Sequence, residues 1–325
     1  MKKNSFVYKH YLAALTLLSF LSGCMGKRNF VQKMLFMQSA KREQDKQPNS
    51  VIDQISEQPI VTIWIHGTKG ILKRFRRINQ VARFFTTLDG LRPIEDLDES
   101  MHHRLIGEAL IESDPKNCTR GHVYLFGWSG TLSFEAREQA AHDLRIELDR
   151  LIQKYQTSYN YTPKIRIITH SHGGNVALNL AAIKNDYGTN FVIEELILLA
   201  CPVQDQTEPY TQDPLFKHIY SFYSNRDLFQ IFDPQGAYPD QKDKAQSFLS
   251  RRRFKPHGNI TQVKIKINQR ALSHVEFMMN RFIRMIPYVM VEINSWDKTT
   301  RTMTDIEQIL SIYTHNHKHR LRLKQ

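Results

Sequence analysis

The feature that most limits how this chain can fold is an apolar β-type run that ends in one serine and a glycine-rich helix start. Residues 165–176 read Ile-Arg-Ile-Ile-Thr-His-Ser-His-Gly-Gly-Asn-Val. The corner falls at Ser171, and Gly173 and Gly174 are the small neighbours that a cramped strand-to-helix turn tolerates. Such a turn lifts a hydroxyl above the end of a sheet, so Ser171 is a candidate nucleophile.

Length and patterning define the fold class that surrounds this corner. The chain has 325 residues, 41% of them hydrophobic, which is enough to bury a full core. Apolar strand patterns alternate with amphipathic helix patterns, and this predicts an α/β fold with a mainly parallel central sheet flanked by helices. Three cysteines are too few for a disulfide framework.

The formal net charge of +13 favours anionic partners without selecting one. A basic segment over 315–325 is expected to be a solvated helix end, so we predict no nucleic-acid partner.

The predicted organisation is a leader over 1–23, a tether over 24–59, a main domain over 60–297, and a helix with a basic tail over 298–325. Strands are predicted over 61–65, 122–126, 165–168, 195–200, 219–223 and 262–267, and helices over 78–87, 102–111, 134–155, 175–184 and 274–293.

The leader has the features of a targeting signal. A segment with three lysines is followed by an apolar run over 11–20 and by Leu-Ser-Gly-Cys24, the layout of a secretory signal. That tetrapeptide resembles the lipobox of bacterial lipoproteins, and the resemblance implies that Cys24 is lipidated and becomes the first mature residue. Met25, where an Asp commonly retains such proteins at the inner membrane, then favours the outer membrane of a Gram-negative envelope. An ordinary signal peptide containing a cysteine is the alternative.

A second glycine turn follows the first predicted strand and has the composition of an oxyanion site. It reads His66-Gly67-Thr68-Lys69-Gly70. Acyl transfer builds negative charge on an oxygen, and backbone N–H groups aimed at that oxygen stabilise it. We expect the donors to be the amides of Thr68 and His172, the second being the residue after the candidate nucleophile.

Two further residues complete a candidate triad. Asp227 follows a predicted strand, where a carboxylate can orient a histidine, and His274 follows the last strand of the main domain. A serine needs a neutral imidazole within hydrogen-bond reach to take its proton. The chain order Ser171, Asp227, His274 is that of the α/β-hydrolase arrangement. Asp205 and Asp233 are rival carboxylates.

With these motifs the chain resembles the α/β-hydrolase superfamily, and within it the lipases and esterases that carry His-Gly-x-x-Gly and Gly-His-Ser-x-Gly-Gly. The resemblance covers roughly residues 60–295. It implies Ser171 as nucleophile, His274 as base and Asp227 as orienting acid, acting on an ester or lipid substrate with no metal or organic cofactor. The chain departs from the family pattern at Thr169, where the family usually has Gly. The strand-to-helix turn at Ser171 must therefore relax slightly to make room for the larger side chain.

Two other motifs compete with this interpretation. Gly127-Trp128-Ser129-Gly130 also follows a predicted strand, but position 131 is Thr rather than Gly, which favours a loop lining the site. His170 and His172 have the His-x-His spacing of a zinc hydrolase. The positions that would hold the next two ligands are Gly and Asn, and zinc needs about four ligands, so we expect no metal site.

The insertions bear on substrate and function. The segment 202–218 is too short for a large cap domain, whereas the polar segment 228–261 is long enough for a mobile flap or rim loop. Its run Arg251-Arg252-Arg253 either grips an anionic substrate or is simply solvated. The sequence thus predicts a membrane-tethered serine ester hydrolase. The alternative is a non-catalytic envelope lipoprotein that keeps a hydrolase-like fold and binds a lipid or protein partner.

Overall fold

The computed structural model describes residues 59–69, 87–183, 191–231, 251–296, 308–315 and 318–324, all within a compact unit spanning Gln58–Gln325. Cys24, the leader and the tether up to residue 58 lie outside these residues, as do nearly all of the helix predicted over 78–87 and the middle of the 228–261 segment. The corresponding expectations therefore remain predictions.

The described residues form ten strands: β1 Val61–Ile65, β2 Gly90–Pro93, β3 Val123–Gly127, β4 Ile165–His170, β5 Ile193–Leu199, β6 Phe216–Tyr223, β7 Ile260–Ile267, β8 Arg270–Ala271, β9 Gln308–His315 and β10 Lys318–Lys324. They make one sheet in the order β10-β9-β7-β6-β5-β4-β1-β3-β2, with β8 paired to β7.

The strands from β9 to β3 run parallel, and β2, β8 and β10 are antiparallel additions. The expected α/β fold with a mainly parallel sheet is thereby confirmed. Because parallel strands end at one common sheet edge, the segments that follow β1, β4, β6 and β7 meet there. Those four segments carry the candidate residues.

Helices cover both faces of this sheet. They are α1 His102–Ser113, α2 Phe134–Tyr159, α3 Gly173–Ile183, α4 Asn280–Ile283 and α5 Ile286–Ser295. Along β1 the side chains alternate between two cores, since Val61, Ile63 and Ile65 pack with α2 and α3 while Trp64 packs with α1, α4 and α5. Between β5 and β6 the chain forms only the 3₁₀ turn Glu208–Gln212. In the described ranges, no helix combines the length and hydropathy needed to cross a bilayer.

The longest helix, α2, has clear start and stop signals. The Ser133 hydroxyl accepts a hydrogen bond from the amide of Ala136 at 3.0 Å, an N-cap that contributes about 1 kcal/mol. Asn160 ends the helix in the left-handed conformation, with a φ of 56°. Buried Leu144 and Leu148 lie one turn apart and face the sheet.

The single helix predicted over 274–293 is wrong. The structure has a 3₁₀ turn, His274–Met278, followed by α4 and α5. Ser273 and Glu276 form a capping box that starts the turn, and Met279 is extended with a ψ of 141°, which stops it. Pro287 lies in the first turn of α5, where proline starts a helix rather than continuing one.

The helix predicted for the basic tail is also wrong, because this part of the chain forms β9 and β10. Leu310 and Ile312 of β9 are fully buried, and β9 lies parallel to β7. The sequence Arg320-Leu321-Arg322-Leu323 has the period-two alternation of a strand. The high charge of this segment favours a solvated tail, whereas its period-two alternation indicates a strand, and the alternation gives the correct secondary structure.

Candidate active site

The serine corner is the junction between β4 and α3. Ser171 has a φ of 55°, in the left-handed region that non-glycine residues seldom adopt, and its amide donates to the Leu199 carbonyl at 2.9 Å. Strained backbone of this kind persists where the surrounding structure over-determines it, and it clusters at functional sites. Its geometry is that of a nucleophile elbow.

Close packing explains the residues around the corner. A Cβ on Gly173 would come within 2.7 Å of the His66 carbonyl oxygen, and a Cβ on Gly174 within 2.5 Å of Cys201 Sγ. Only glycine fits at either position. Thr169 is buried inside β4, where its hydroxyl donates to the Ile197 carbonyl at 3.3 Å, so the larger residue is accommodated by the neighbouring strand.

The glycine turn after β1 lies directly against the serine. A Cβ on Gly67 would be 2.8 Å from Ser171 Cβ and 3.0 Å from the His170 carbonyl oxygen. The next residue, Thr68, has an amide that makes no hydrogen bond in the described part of the chain. His172 follows the serine on the helix side, and its Nδ1 accepts a hydrogen bond from Asn175 Nδ2 at 3.3 Å.

The turn is fixed by bonds on both of its sides. His66 Nδ1 donates to the Gly67 carbonyl at 2.7 Å, and His66 Nε2 accepts from the Trp128 amide at 3.1 Å. Trp128 Nε1 donates to the His66 carbonyl at 2.8 Å, and the Lys69 amide donates to the Gly130 carbonyl at 2.8 Å. Burial and the nearby Lys69 charge lower the pKa of His66 to about 3. The ring is therefore neutral, so Nδ1 can donate while Nε2 accepts.

The second Ser-Gly corner is thus a loop that supports this turn. Among the described residues, Ser129 is not one of those with positive φ, whereas Gly130 has a φ of 63°. The next helix, α2, begins only at Phe134. The segment therefore lacks the strained serine and the immediate helix that define an elbow.

The candidate base and acid are in direct contact. His274 Nδ1 donates to Asp227 Oδ2 at 2.7 Å, and the Asp227 side chain is fully buried. The other carboxylate oxygen accepts a hydrogen bond from the Gln230 amide at 3.0 Å. A carboxylate at Nδ1 favours the tautomer with its proton on that nitrogen, and this leaves the lone pair of the neutral ring on Nε2, as a general base requires.

The loop that contains Asp227 is held by hydrogen bonds from Arg252, which lies near the end of the 228–261 segment. Arg252 Nη2 donates to the carbonyls of Asn225 at 3.1 Å and Asp227 at 2.9 Å, and Gln230 Nε2 donates to the Cys201 carbonyl at 2.9 Å. Arg252 therefore fixes the loop that contains Asp227, a role that the sequence alone did not predict.

The rival carboxylates have other surroundings. Asp205 and the buried Glu208 both pair with Arg251, at 2.9 Å and 2.6 Å. Asp205 is thus held in a surface ion pair rather than against His274. Asp233 lies outside the described residues. Two arginines of the 251–253 run are therefore engaged by the protein itself.

Two buried histidines hold the turn that carries His274. His170 Nε2 donates to the His274 carbonyl and His102 Nε2 donates to the Met278 carbonyl, both at 3.0 Å. Burial lowers the pKa of His102 to about 4 and holds that of His170 well below its ordinary range. Among the described residues, no group of three or more His, Cys, Asp or Glu has a geometry for holding a metal ion.

The fold thus brings Ser171, Asp227 and His274 to one sheet edge, but the hydrogen bond between the serine and the histidine is not formed. Asp227 touches His274, the His274 ring lies 4.7 Å from that of His170 between centroids, and Ser171 follows His170 directly. In the described ranges no hydrogen bond joins Ser171 Oγ to His274. Catalytic hydrogen bonds are often long in a free enzyme and tighten when substrate binds.

Comparison with known proteins adds little to this geometry. No family model and no curated protein matches the chain. A solved structure, the monoclinic form of an esterase from Pyrobaculum calidifontis, is similar at 11% identity with a TM-score of 0.30, over 80% of this chain and 68% of that one. At such values the likeness carries no argument about activity. Fold and site define an α/β protein with a strand–serine–helix corner beside a His–Asp pair.

Proposed function

We propose that the protein is a serine hydrolase that cleaves carboxylic esters, with Ser171, His274 and Asp227 as its triad. The observation that carries the proposal is the 2.7 Å bond from His274 Nδ1 to the buried Asp227 carboxylate, at the same sheet edge as the strained Ser171. A buried carboxylate on Nδ1 fixes the imidazole in the tautomer that activates a serine.

The reaction follows from these positions. Ser171 Oγ attacks the ester carbonyl carbon, His274 Nε2 takes the hydroxyl proton, and the carbonyl π electrons move to the oxygen. The amides of Thr68 and His172 hold that oxyanion. When the tetrahedral intermediate collapses, the C–O bond to the alcohol breaks and the alcohol takes the proton from His274. Water then hydrolyses the acyl-enzyme by the same route, and the Asp227 carboxylate, bonded to Nδ1 of His274, stabilises the imidazolium each time it forms.

Chemical labelling tests this proposal. We expect a fluorophosphonate probe to label Ser171, and Ser171→Ala to lower the turnover of a p-nitrophenyl ester by about 10⁴-fold or more. Ser129→Ala, at the other Ser-Gly corner, is the matched control and should keep its activity. A folded wild-type protein that neither labels nor hydrolyses esters favours the non-catalytic binder of a lipid or protein partner.

We further propose that Cys24 is lipidated and holds the protein at the bacterial envelope, at the outer membrane of a Gram-negative cell. The charged start, apolar run and Leu-Ser-Gly-Cys sequence support this. Each buried methylene of an acyl chain contributes about 0.8 kcal/mol to membrane binding. Metabolic palmitate labelling should be lost in Cys24→Ala and retained in Cys118→Ala, which alters a buried thiol. Label that persists in Cys24→Ala contradicts the anchor.

A further inference from the structure

A half-buried aromatic ring lies against the candidate base. The phenyl ring of Phe229 is tilted by 45° to the imidazole of His274, with 5.6 Å between the two ring centroids. Aromatic rings at this separation are in direct contact. In the described part of the chain, the other side chains in hydrogen-bond or ring contact with this imidazole are Asp227, at Nδ1, and His170, at 4.7 Å between centroids.

Phe229 is the most exposed of these three neighbours. Asp227 is fully buried and His170 is 6% exposed, whereas Phe229 is half-buried. The His274 side chain itself is 13% exposed, so its imidazole can be reached from solvent. A molecule that approaches the imidazole from solvent therefore meets the Phe229 ring rather than Asp227 or His170.

The turn that contains Phe229 is fixed at both of its ends. The buried Gln230 donates through its amide to Asp227 Oδ1 at 3.0 Å, and the Ile231 amide donates to the Leu228 carbonyl at 3.1 Å. Because Asp227 and Gln230 are both turned inward, Leu228 is left 40% exposed beside Phe229. The turn thus holds two adjacent apolar side chains at the sheet edge where the candidate triad lies.

The proposed reaction brings the alcohol part of the ester to the same imidazole. When the tetrahedral intermediate collapses, His274 Nε2 gives its proton to the alcohol oxygen, and the two atoms must then be about 3 Å apart. The carbons bonded to that oxygen lie beside the imidazole ring, within reach of a side chain that touches the ring. The acyl part, in contrast, is bonded to Ser171.

We infer that Phe229, together with Leu228, contacts the alcohol part of the ester and makes the site selective for apolar alcohols. The inference rests on the proposed ester hydrolysis and names the substrate class of that reaction. A methylene group that leaves water for an apolar wall stabilises the transition state, and this gain raises kcat/KM. A charged alcohol would lose hydration at the same wall without gaining a hydrogen-bond partner, so it is disfavoured.

A series of acetate esters tests this inference on the full chain. Ethyl, propyl and butyl acetate form the same acetyl-enzyme and release alcohols of similar acidity, so their kcat/KM values differ through contacts of the alcohol part. We expect wild type to gain about tenfold in kcat/KM from ethyl to butyl acetate. Phe229→Ala should reduce this gain to about threefold or less, and Phe229→Leu, which keeps an apolar side chain, should retain most of it.

Two controls locate the effect at the alcohol part. Ethyl acetate, ethyl butyrate and ethyl hexanoate change only the acyl part, and the ratios of kcat/KM along this series should agree within about twofold between Phe229→Ala and wild type. Tyr288→Ala removes an exposed ring from α5 and should leave the ratios of both series unchanged.

The possible outcomes are distinct. If Phe229→Ala lowers kcat/KM equally for all three acetates, its ring only packs against the imidazole and the inference is overturned. A changed acyl series with an unchanged alcohol series overturns it as well. In both cases an inactive Ser171→Ala leaves the hydrolase proposal standing, whereas a wild-type protein without probe labelling or ester turnover overturns both.

A second variant decides the matter if Phe229→Ala does not fold. Leu228→Ala alters an exposed side chain, and its gain from ethyl to butyl acetate should be about half that of wild type. An unchanged gain in folded Leu228→Ala then overturns the inference.

Discussion

His170 Nε2 donates a hydrogen bond to the backbone oxygen of His274 at 3.0 Å. The residue directly before the candidate nucleophile thus holds the main chain of the candidate base. His102 makes the same kind of bond to Met278 at the other end of the same 3₁₀ turn. Two buried, neutral imidazoles from β4 and α1 therefore fix the turn that positions His274, the candidate base.

The His170 bond can be tested by changing its donor. His170→Phe removes the donor and leaves a buried carbonyl unpaired, which costs about 1–3 kcal/mol of unfolding free energy. His170→Gln retains an N–H group and should keep most of that stability. We expect kcat of the Phe variant to fall more than that of the Gln variant, with KM less affected. Equal stability and kcat in the two variants would contradict a positioning role.

The two carboxylates near the site should behave differently. Asp227→Asn replaces the acceptor of His274 Nδ1, favours the wrong tautomer, and should lower kcat by about 10⁴-fold, as measured with a chromogenic ester. Asp205→Asn removes only a surface partner of Arg251 and should change kcat little. The reverse ranking would make Asp205 the acid of the triad.

Buried histidines should make the fold sensitive to acid. The pKa of His102 is about 4 in the folded protein and near the ordinary 6.5 when the chain is unfolded. Between these values the unfolded chain binds the extra proton, so stability is lost as the pH falls from about 6.5 towards 4. Denaturant unfolding at several pH values should show this slope.

His102→Gln tests that slope, since it keeps an N–H donor for Met278 but does not titrate. Near pH 5 its unfolding free energy should depend on pH less steeply than that of wild type, by about 1.4 kcal/mol per pH unit. Parallel slopes for the two proteins would show that His102 does not titrate on unfolding.

Gly67 should be intolerant of any side chain. The Cβ of Gly67→Ala would press on Ser171 Cβ at 2.8 Å and on the His170 carbonyl oxygen at 3.0 Å. The turn after β1 would then have to move away from the serine, and if it supplies an oxyanion donor as proposed, kcat should fall by about 10²-fold, the loss typical of one missing donor. Gly258→Ala is the control, because nothing lies within 4 Å of its Cβ. An unchanged kcat in Gly67→Ala would place the oxyanion donors elsewhere.

The local parts of this structure could be predicted from sequence. β1 runs over the residues that its apolar pattern indicated, Val61–Ile65, and the serine corner lies where Gly173 and Gly174 require it. The mainly parallel sheet follows from strands alternating with helices. These features depend on short-range patterns, which a single sequence contains in full.

The remaining features depend on contacts between distant residues. His170 and His274 are 104 positions apart, and His102 and Met278 are 176 apart, so no local pattern could identify either bond. Arg252 in an arginine run resembles a surface anion site until the fold brings it to the Asp227 loop. The break at Met279 likewise lies inside a continuous apolar pattern that favours one helix.

The parallel pairing of β9 with β7 has a consequence for assembly. β7 leads into the segment that contains His274, the candidate base, and the outer edge of β7 is covered by β9, whose residues come much later in the chain. Until those residues dock, a hydrophobic strand with Val263 and Ile265 is an open template for intermolecular association. We therefore expect a shortened chain ending before Gln308 to aggregate, because the solubility of the protein depends on β9 covering the outer edge of β7.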